Sequence, residues 1–144
     1  PYIVRTSNNN GQRGFIDENP IYLNSGNTIS FGQDTATIFY QEKPYFTGDK
    51  IKILIPKLLN FRKENAQFFI STMNLTFSNF TWGSTRFNVD ILKNQIVKIP
   101  ISSKDKEIDF VFMETLIKAI QKLVIADVVK FSDEKIKAAK QVVG

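Results

Sequence analysis

Three polar loops hold the side chains best suited to recognising another molecule. The first, residues 5–13, supplies Arg5, Thr6, Ser7, Asn8, Asn9, Asn10, Gln12 and Arg13. The second, residues 27–35, adds Gln33, Asp34 and Thr35. The third, residues 81–87, adds Ser84, Thr85 and Arg86 beside Trp82. Asn and Gln pair bidentately with adenine and Arg with guanine, each worth about 1–3 kcal/mol of discrimination between bases. Taken singly, each Asn is first a turn former, because its side chain bonds its own backbone and it tolerates left-handed geometry. Taken as a set, the three loops are expected to converge on one face and contact DNA. Lys43, Lys50 and Lys52 suit phosphate contacts, which position without specifying, and equally suit a solvated strand face.

The residue types that most catalysis needs are missing. The chain has no Cys and no His. That excludes disulfides, thiolate nucleophiles, thiolate metal sites, Ser–His pairs and an imidazole base. A zinc site would have to be built from carboxylates alone, which is unusual. No G-x-G turn occurs to seat a nucleotide-like cofactor, and no Gly-Lys-Ser/Thr marks a P-loop. Asn19-Pro20-Ile21-Tyr22 faintly resembles the N-P-P-Y loop of amino-methyltransferases, but without a cofactor motif it reads as an Asn-Pro turn. The acidic residues are scattered, and Asp133-Glu134 fits the first turn of a helix better than a metal site. The expectation is a non-catalytic chain with no cofactor and no metal of its own.

At 144 residues the chain fits one domain that buries a core without staples, and 13 Phe make that core bulky. Net charge is +5, with 13 basic and 9 acidic residues up to Ile108. Such a balance suits an anionic partner and equally suits a mildly basic surface. No apolar run approaches the roughly 20 residues of a membrane span. No signal-peptide pattern opens the chain, and Pro1-Tyr2-Ile3-Val4 reads as a strand cut from something longer. Asn74-Leu75-Thr76 and Asn79-Phe80-Thr81 match the glycosylation sequon by accident of an Asn-rich composition. The expected compartment is the cytoplasm.

The elements that must hold the loops follow from periodicity. Residues 2–4, 28–31, 36–41, 50–55 and 96–100 read as strands, rich in β-branched and aromatic residues or alternating. Asn10-Gly11 is a hairpin signal. Residues 60–80 carry helical spacing, started either by Asn60 or near Asn65-Ala66. Asp109 caps a helix whose apolar residues Phe110, Met113, Leu116, Ile117, Ile120, Leu123 and Val124 line one side. A break is expected near Lys130-Phe131-Ser132, with Ser132 capping a second helix in which Ile136, Ala139 and Val143 share a face. The apolar stripe either packs on the globule or docks on another helix, and both are expected: first turns inward, the rest outward. The pattern is α+β, an irregular β-rich globule over residues 1–108 with an inserted helix. One or more C-terminal helices over residues 109–144 complete the same structural unit.

Four segments, in order, carry a family resemblance. They are Pro1-Tyr2-Ile3-Val4-Arg5-Thr6-Ser7-Asn8-Asn9-Asn10-Gly11; Gly26-Asn27-Thr28-Ile29-Ser30-Phe31-Gly32 continuing through Phe39-Tyr40-Gln41 to Phe46-Thr47-Gly48-Asp49; Trp82-Gly83-Ser84-Thr85-Arg86-Phe87 with Leu92-Lys93-Asn94; and residues 96–100 with Asp109-Phe110-Val111-Phe112-Met113-Glu114-Thr115-Leu116-Ile117-Lys118. Together they resemble the target-recognition domain of type I restriction specificity subunits, most of all the version in BcgI-like single-chain type II restriction-modification proteins. The resemblance implies a sequence-specific DNA reader of one half of a split site, serving a methyltransferase and nuclease on separate domains or subunits. It implies S-adenosylmethionine and magnesium on those catalytic parts, not here. It also implies docking through residues 116–143 on a second recognition domain or a second copy. The alternative is a protein-interaction domain with incidental basic charge.

Overall fold

The computed structural model describes residues 1–77 and 89–143. Among them run β1 (Tyr2–Ile3), β2 (Gln12–Gly14), β3 (Thr28–Gly32), β4 (Ile38–Gln41), β5 (Phe46–Thr47) and β6 (Ile51–Leu54). Three α-helices follow: α1 (Lys63–Phe77), α2 (Val89–Lys93) and α3 (Phe110–Val143). The architecture is α+β, as the sequence pattern implies.

The strands form two small sheets. β3 is central in one, antiparallel to β4 (Ile29↔Tyr40, Phe31↔Ile38) and to β6 (Ile29↔Leu54, Phe31↔Lys52). All five of its residues are buried. In the other sheet β1 lies between antiparallel β2 and parallel β5. The strands expected near residues 2–4, 28–31, 36–41 and 50–55 are therefore present. β5 has two residues, too few for any periodicity to announce it.

The expected Asn-Gly turn joins β1 to β2. Asn9, Asn10 and Gly11 have φ of 47°, 54° and 78°, the left-handed region that Asn tolerates and Gly prefers. Gly11 is required twice over: a Cβ there would also sit 3.0 Å from the Phe39 ring and 3.3 Å from Ile3.

The core lies between the β4-β3-β6 sheet and the helices. Ile29, Phe31, Ile38 and Tyr40 face Phe61, Ala66, Phe69, Ile70 and Phe77, and α3 adds Met113. Phe31 meets Phe77 edge-on at 5.5 Å between ring centres, and Phe61 meets Phe69 at 5.4 Å. These separations let a positive ring edge meet a negative ring face, beyond what area burial contributes. Arg62 ties the two helices at their rim, its Nη2 donating to Glu114 Oε1 at 2.6 Å.

α1 starts at neither expected point. Lys63 is its first residue, so Arg62 holds the capping position. Asn65 reaches back: its Oδ1 accepts from the Arg62 N–H at 3.1 Å, and its Nδ2 donates to the Asn60 carbonyl at 2.8 Å. That is the returning half of a capping box, with Asn in the place of Glu or Gln. Asn60 contributes its backbone carbonyl, not its side chain.

Two further expectations are corrected. No strand forms over residues 96–100; the backbone pairing next to it is an isolated Ile101↔Ile108 bridge. Pro100 has no N–H to give a ladder; Ile99 packs against the core while Ile96 is exposed. The helix does not break near Ser132. α3 is one helix of 34 residues, capped by Asp109, whose Oδ1 accepts from the Phe112 N–H at 2.8 Å. A Ser inside a helix costs only about 0.5 kcal/mol relative to Ala, and extending an existing helix needs no new nucleus. Lys135 also lies over the Phe131 ring at 5.1 Å, bridging the expected break. The division of the stripe is as expected: Phe110 and Met113 pack on the core, and residues 118–141 are all exposed. No helix among the described residues is long and apolar enough to cross a membrane.

Asn65→Ala removes a cap and leaves buried polar groups unpaired, so it is expected to lose about 1–3 kcal/mol of stability. Asn60→Ala should stay within about 0.5 kcal/mol. Urea unfolding distinguishes them. Tyr45 adds a pH dependence. It is fully buried and its hydroxyl shares a 3.0 Å hydrogen bond with Thr28. Burial raises its pKa above the ordinary 10.0, against the pull of the Thr28 bond. The folded chain thus holds this proton more tightly than the unfolded chain. Stability is intact below pH 10.0 and falls as pH rises above it. Tyr45→Phe should make that alkaline fall shallower in unfolding measurements against pH.

Candidate nucleic-acid interface

Two of the three polar loops meet at one place. Arg5, directly after β1, forms an ion pair through its Nη1 with Asp34 Oδ2. Asp34 sits in the turn between β3 and β4, and Lys50 donates to the same oxygen at 3.0 Å. The Gln33 N–H donates to the Lys50 carbonyl at 3.0 Å, which locks this turn to the start of β6. Behind it, Thr35 and Thr37 hydroxyls bond at 3.0 Å over Gly32, where a Cβ would lie 2.5 Å from each oxygen. One carboxylate therefore holds two cations from two different chain segments on a stiff support.

Beside this cluster opens a cleft of about 570 Å³. Of the expected contact residues, Arg5, Thr6, Asn8, Gln12 and Arg13 line it. Arg13 is exposed. Asp34 does not line the cleft; it stands behind Arg5. Sequence reasoning missed Tyr2, Val4, Gly48 and Asp49, which form the rest of the wall. Gly48-Asp49 carries a turn signal, yet only the β1–β5 pairing places it here. A Cβ at Gly48 would lie 2.9 Å from the Tyr2 hydroxyl, so glycine lets this wall close.

Other expected residues have structural duties. Asn10 donates its amide to the Tyr40 carbonyl at 2.9 Å, while its own carbonyl accepts from Gln41 Nε2 at 3.1 Å. Gln41 is buried and bonds Ser30 as well, at 3.0 Å. Asn9 donates to the Gln12 carbonyl at 3.2 Å, and Thr6 Oγ1 accepts from the Asn8 N–H at 3.2 Å. Ser7 is exposed on the same turn. Asn19, in the faint methyltransferase-like motif, accepts from the Ile21 N–H at 3.0 Å as an ordinary turn residue. Lys43 and Lys50 are exposed and Lys52 is half-buried on β6. Trp82, Ser84, Thr85 and Arg86 lie outside the described residues. Among the described residues, no cluster of three or more carboxylates is placed to hold a metal ion.

A cleft lined by two arginines, amides, hydroxyls and the Asp49 carboxylate has the side-chain chemistry of a polar recognition module. The family follows. The profile of the type I restriction modification DNA specificity domain matches residues 1–130. The chain belongs to that family and is a DNA sequence-recognition module of a restriction-modification system. It is 40% identical over 128 residues to the type II restriction enzyme BgcI specificity subunit S.BcgI of Heyndrickxia coagulans. That alignment covers 83% of this chain and 35% of the relative, so the chain spans about a third of that protein's length. No solved structure matches it.

Asp34 pairs with both Arg5 and Lys50 beside the cleft. Asp34→Asn releases two cations, so DNA affinity is expected to rise, and the slope of log K against log salt to steepen by about 1. Asn10→Ala is expected instead to lower the unfolding midpoint, because it strips a bond from the Tyr40 carbonyl. Fluorescence anisotropy at several salt concentrations, paired with urea unfolding, separates the two.

Proposed function

We propose that the cleft between the Arg5–Arg13 turn and Gly48-Asp49, with the Asp34 turn behind Arg5, reads one half of a split DNA site, and that the chain does no chemistry. The observation that carries this reading is the Arg5–Asp34–Lys50 cluster, which joins two polar loops at the mouth of an arginine-walled cleft. Arg5 and Arg13 present donors suited to guanine edges, and Asn8 and Gln12 suit adenine. Lys43 and Lys52 stand ready for phosphates on the flanks. Arg86, with Ser84, Thr85 and Trp82, is proposed to contact the same DNA site.

Methylation and cleavage then belong to other domains or subunits, which hold S-adenosylmethionine and magnesium. The exposed apolar stripe of α3, including Val124, Val128 and Phe131, docks on a second recognition domain or a second copy, setting the distance between half-sites. A soluble reader of this kind works in the cytoplasm.

Selection from a random duplex library tests the reading. The expected outcome is one short enriched motif and binding that weakens steeply with salt. Arg13→Ala should cost about 1–3 kcal/mol on that motif and relax selectivity at one position. An unenriched library, with salt-insensitive binding, would refute it.

A further inference from the structure

The connection from β2 to β3 builds a second face with its own concavity. Ile21 and Tyr22 are 79% and 67% exposed, and Phe15, Ile16 and Leu23 are exposed beside them. These side chains do not hang on a loose loop. Asn19 caps a 3-10 turn, accepting from Ile21 N–H on its side chain and from Tyr22 N–H on its carbonyl, both at 3.0 Å. Asn24 bridges to Tyr45 with backbone bonds of 2.9 and 3.1 Å. Ile16, Ile21, Tyr22 and Leu23 share a concavity of about 740 Å³ with Phe46 and Tyr2. A fixed apolar ridge over a concavity is the form of a protein-binding surface, with an aromatic residue as anchor.

Charge decides the occupant. The chain is basic overall, yet no Lys or Arg occurs from Gly14 to Glu42, while Asp17 and Glu18 flank the ridge. Glu18 lines the concavity itself. An anionic rim repels nucleic acid and anionic membranes and suits a cationic protein surface. Position agrees. Tyr2 lines both this concavity and the reading cleft, so an occupant lies directly beside DNA held in the cleft. A protein surface that also meets DNA is basic for its own reasons.

We propose that residues 15–23 dock a protein surface with an apolar socket ringed by lysine or arginine, carried by the DNA-modifying part of the same system. The proposal rests on the DNA-reading function. It fixes where the catalytic machinery sits relative to the reading cleft.

The test uses the intact restriction-modification assembly with p-benzoylphenylalanine in place of Tyr22. After irradiation, the crosslink is expected on the methyltransferase or nuclease part, in a stretch containing Lys or Arg. A crosslink to DNA, to any recognition domain, or none at all, overturns the proposal. In parallel, Ile21→Gln with Tyr22→Gln, which removes the apolar ridge without adding charge beside DNA, is expected to lower methylation of a plasmid by the assembly about tenfold or more. DNA binding by the chain itself should stay within about twofold, with an unchanged urea midpoint. Unchanged methylation also overturns it. If the unaltered chain enriches no DNA motif but the crosslink falls on basic protein, the DNA-reading function fails and the docking surface stands.

Discussion

The structure depends on β3 being buried along its whole length. A strand buried on both faces must satisfy every polar group within the protein, because an unmade bond there costs about 1–3 kcal/mol. β3 does so with two antiparallel neighbours and with side chains. Ile29 and Phe31 enter the aromatic core, while Ser30 accepts from Gln41 at 3.0 Å. Thr28 bonds Tyr45 at its start, and Gly32 opens the turn that carries Asp34 at its end. The same five residues thus anchor the core, the first polar loop through Gln41, and the second loop directly.

This arrangement explains how loop residues can be precise. Recognition by side chains requires them to be held within a fraction of an ångström by a supporting shell. The Asn10–Gln41–Ser30 chain of bonds ties the first turn to the sheet, and Asp34 holds Arg5 from behind. Buried side-chain polar atoms without a partner are absent among the described residues. The support is polar rather than apolar, which suits a surface that must present donors and acceptors outward without collapsing onto itself.

Much of this was legible in the sequence. Alternating and β-branched runs marked β1, β3, β4 and β6, the Asn-Gly pair marked the turn, and Asp109 marked the cap of α3. The absence of His and Cys ruled out most catalytic designs from composition alone. Other features were not legible, for stateable reasons. The inward role of Asn10 depends on Gln41, thirty-one residues away, and no local pattern reports such a pair. Asp34 looked like a reader of bases, yet its place behind Arg5 is set by tertiary pairing. Ser132 looked like a cap because Asp133 and Glu134 follow it, but an established helix propagates through such a site at little cost. The run at 96–100 is rich in β-branched residues like a strand, though no ladder forms. Tyr2 and Gly48 enter the cleft wall through the parallel β1–β5 pairing, whose two-residue partner no periodicity marks.

The central claim is that the face built from residues 5–13 and 33–35 is the one that touches DNA. Amide hydrogen exchange of the chain, with and without the duplex it selects, tests this most directly. The account predicts slowed exchange at residues 5–13 and 33–35, with residues 15–23 unchanged. Slowing confined to α1 or α3, with the two turns untouched, would contradict it.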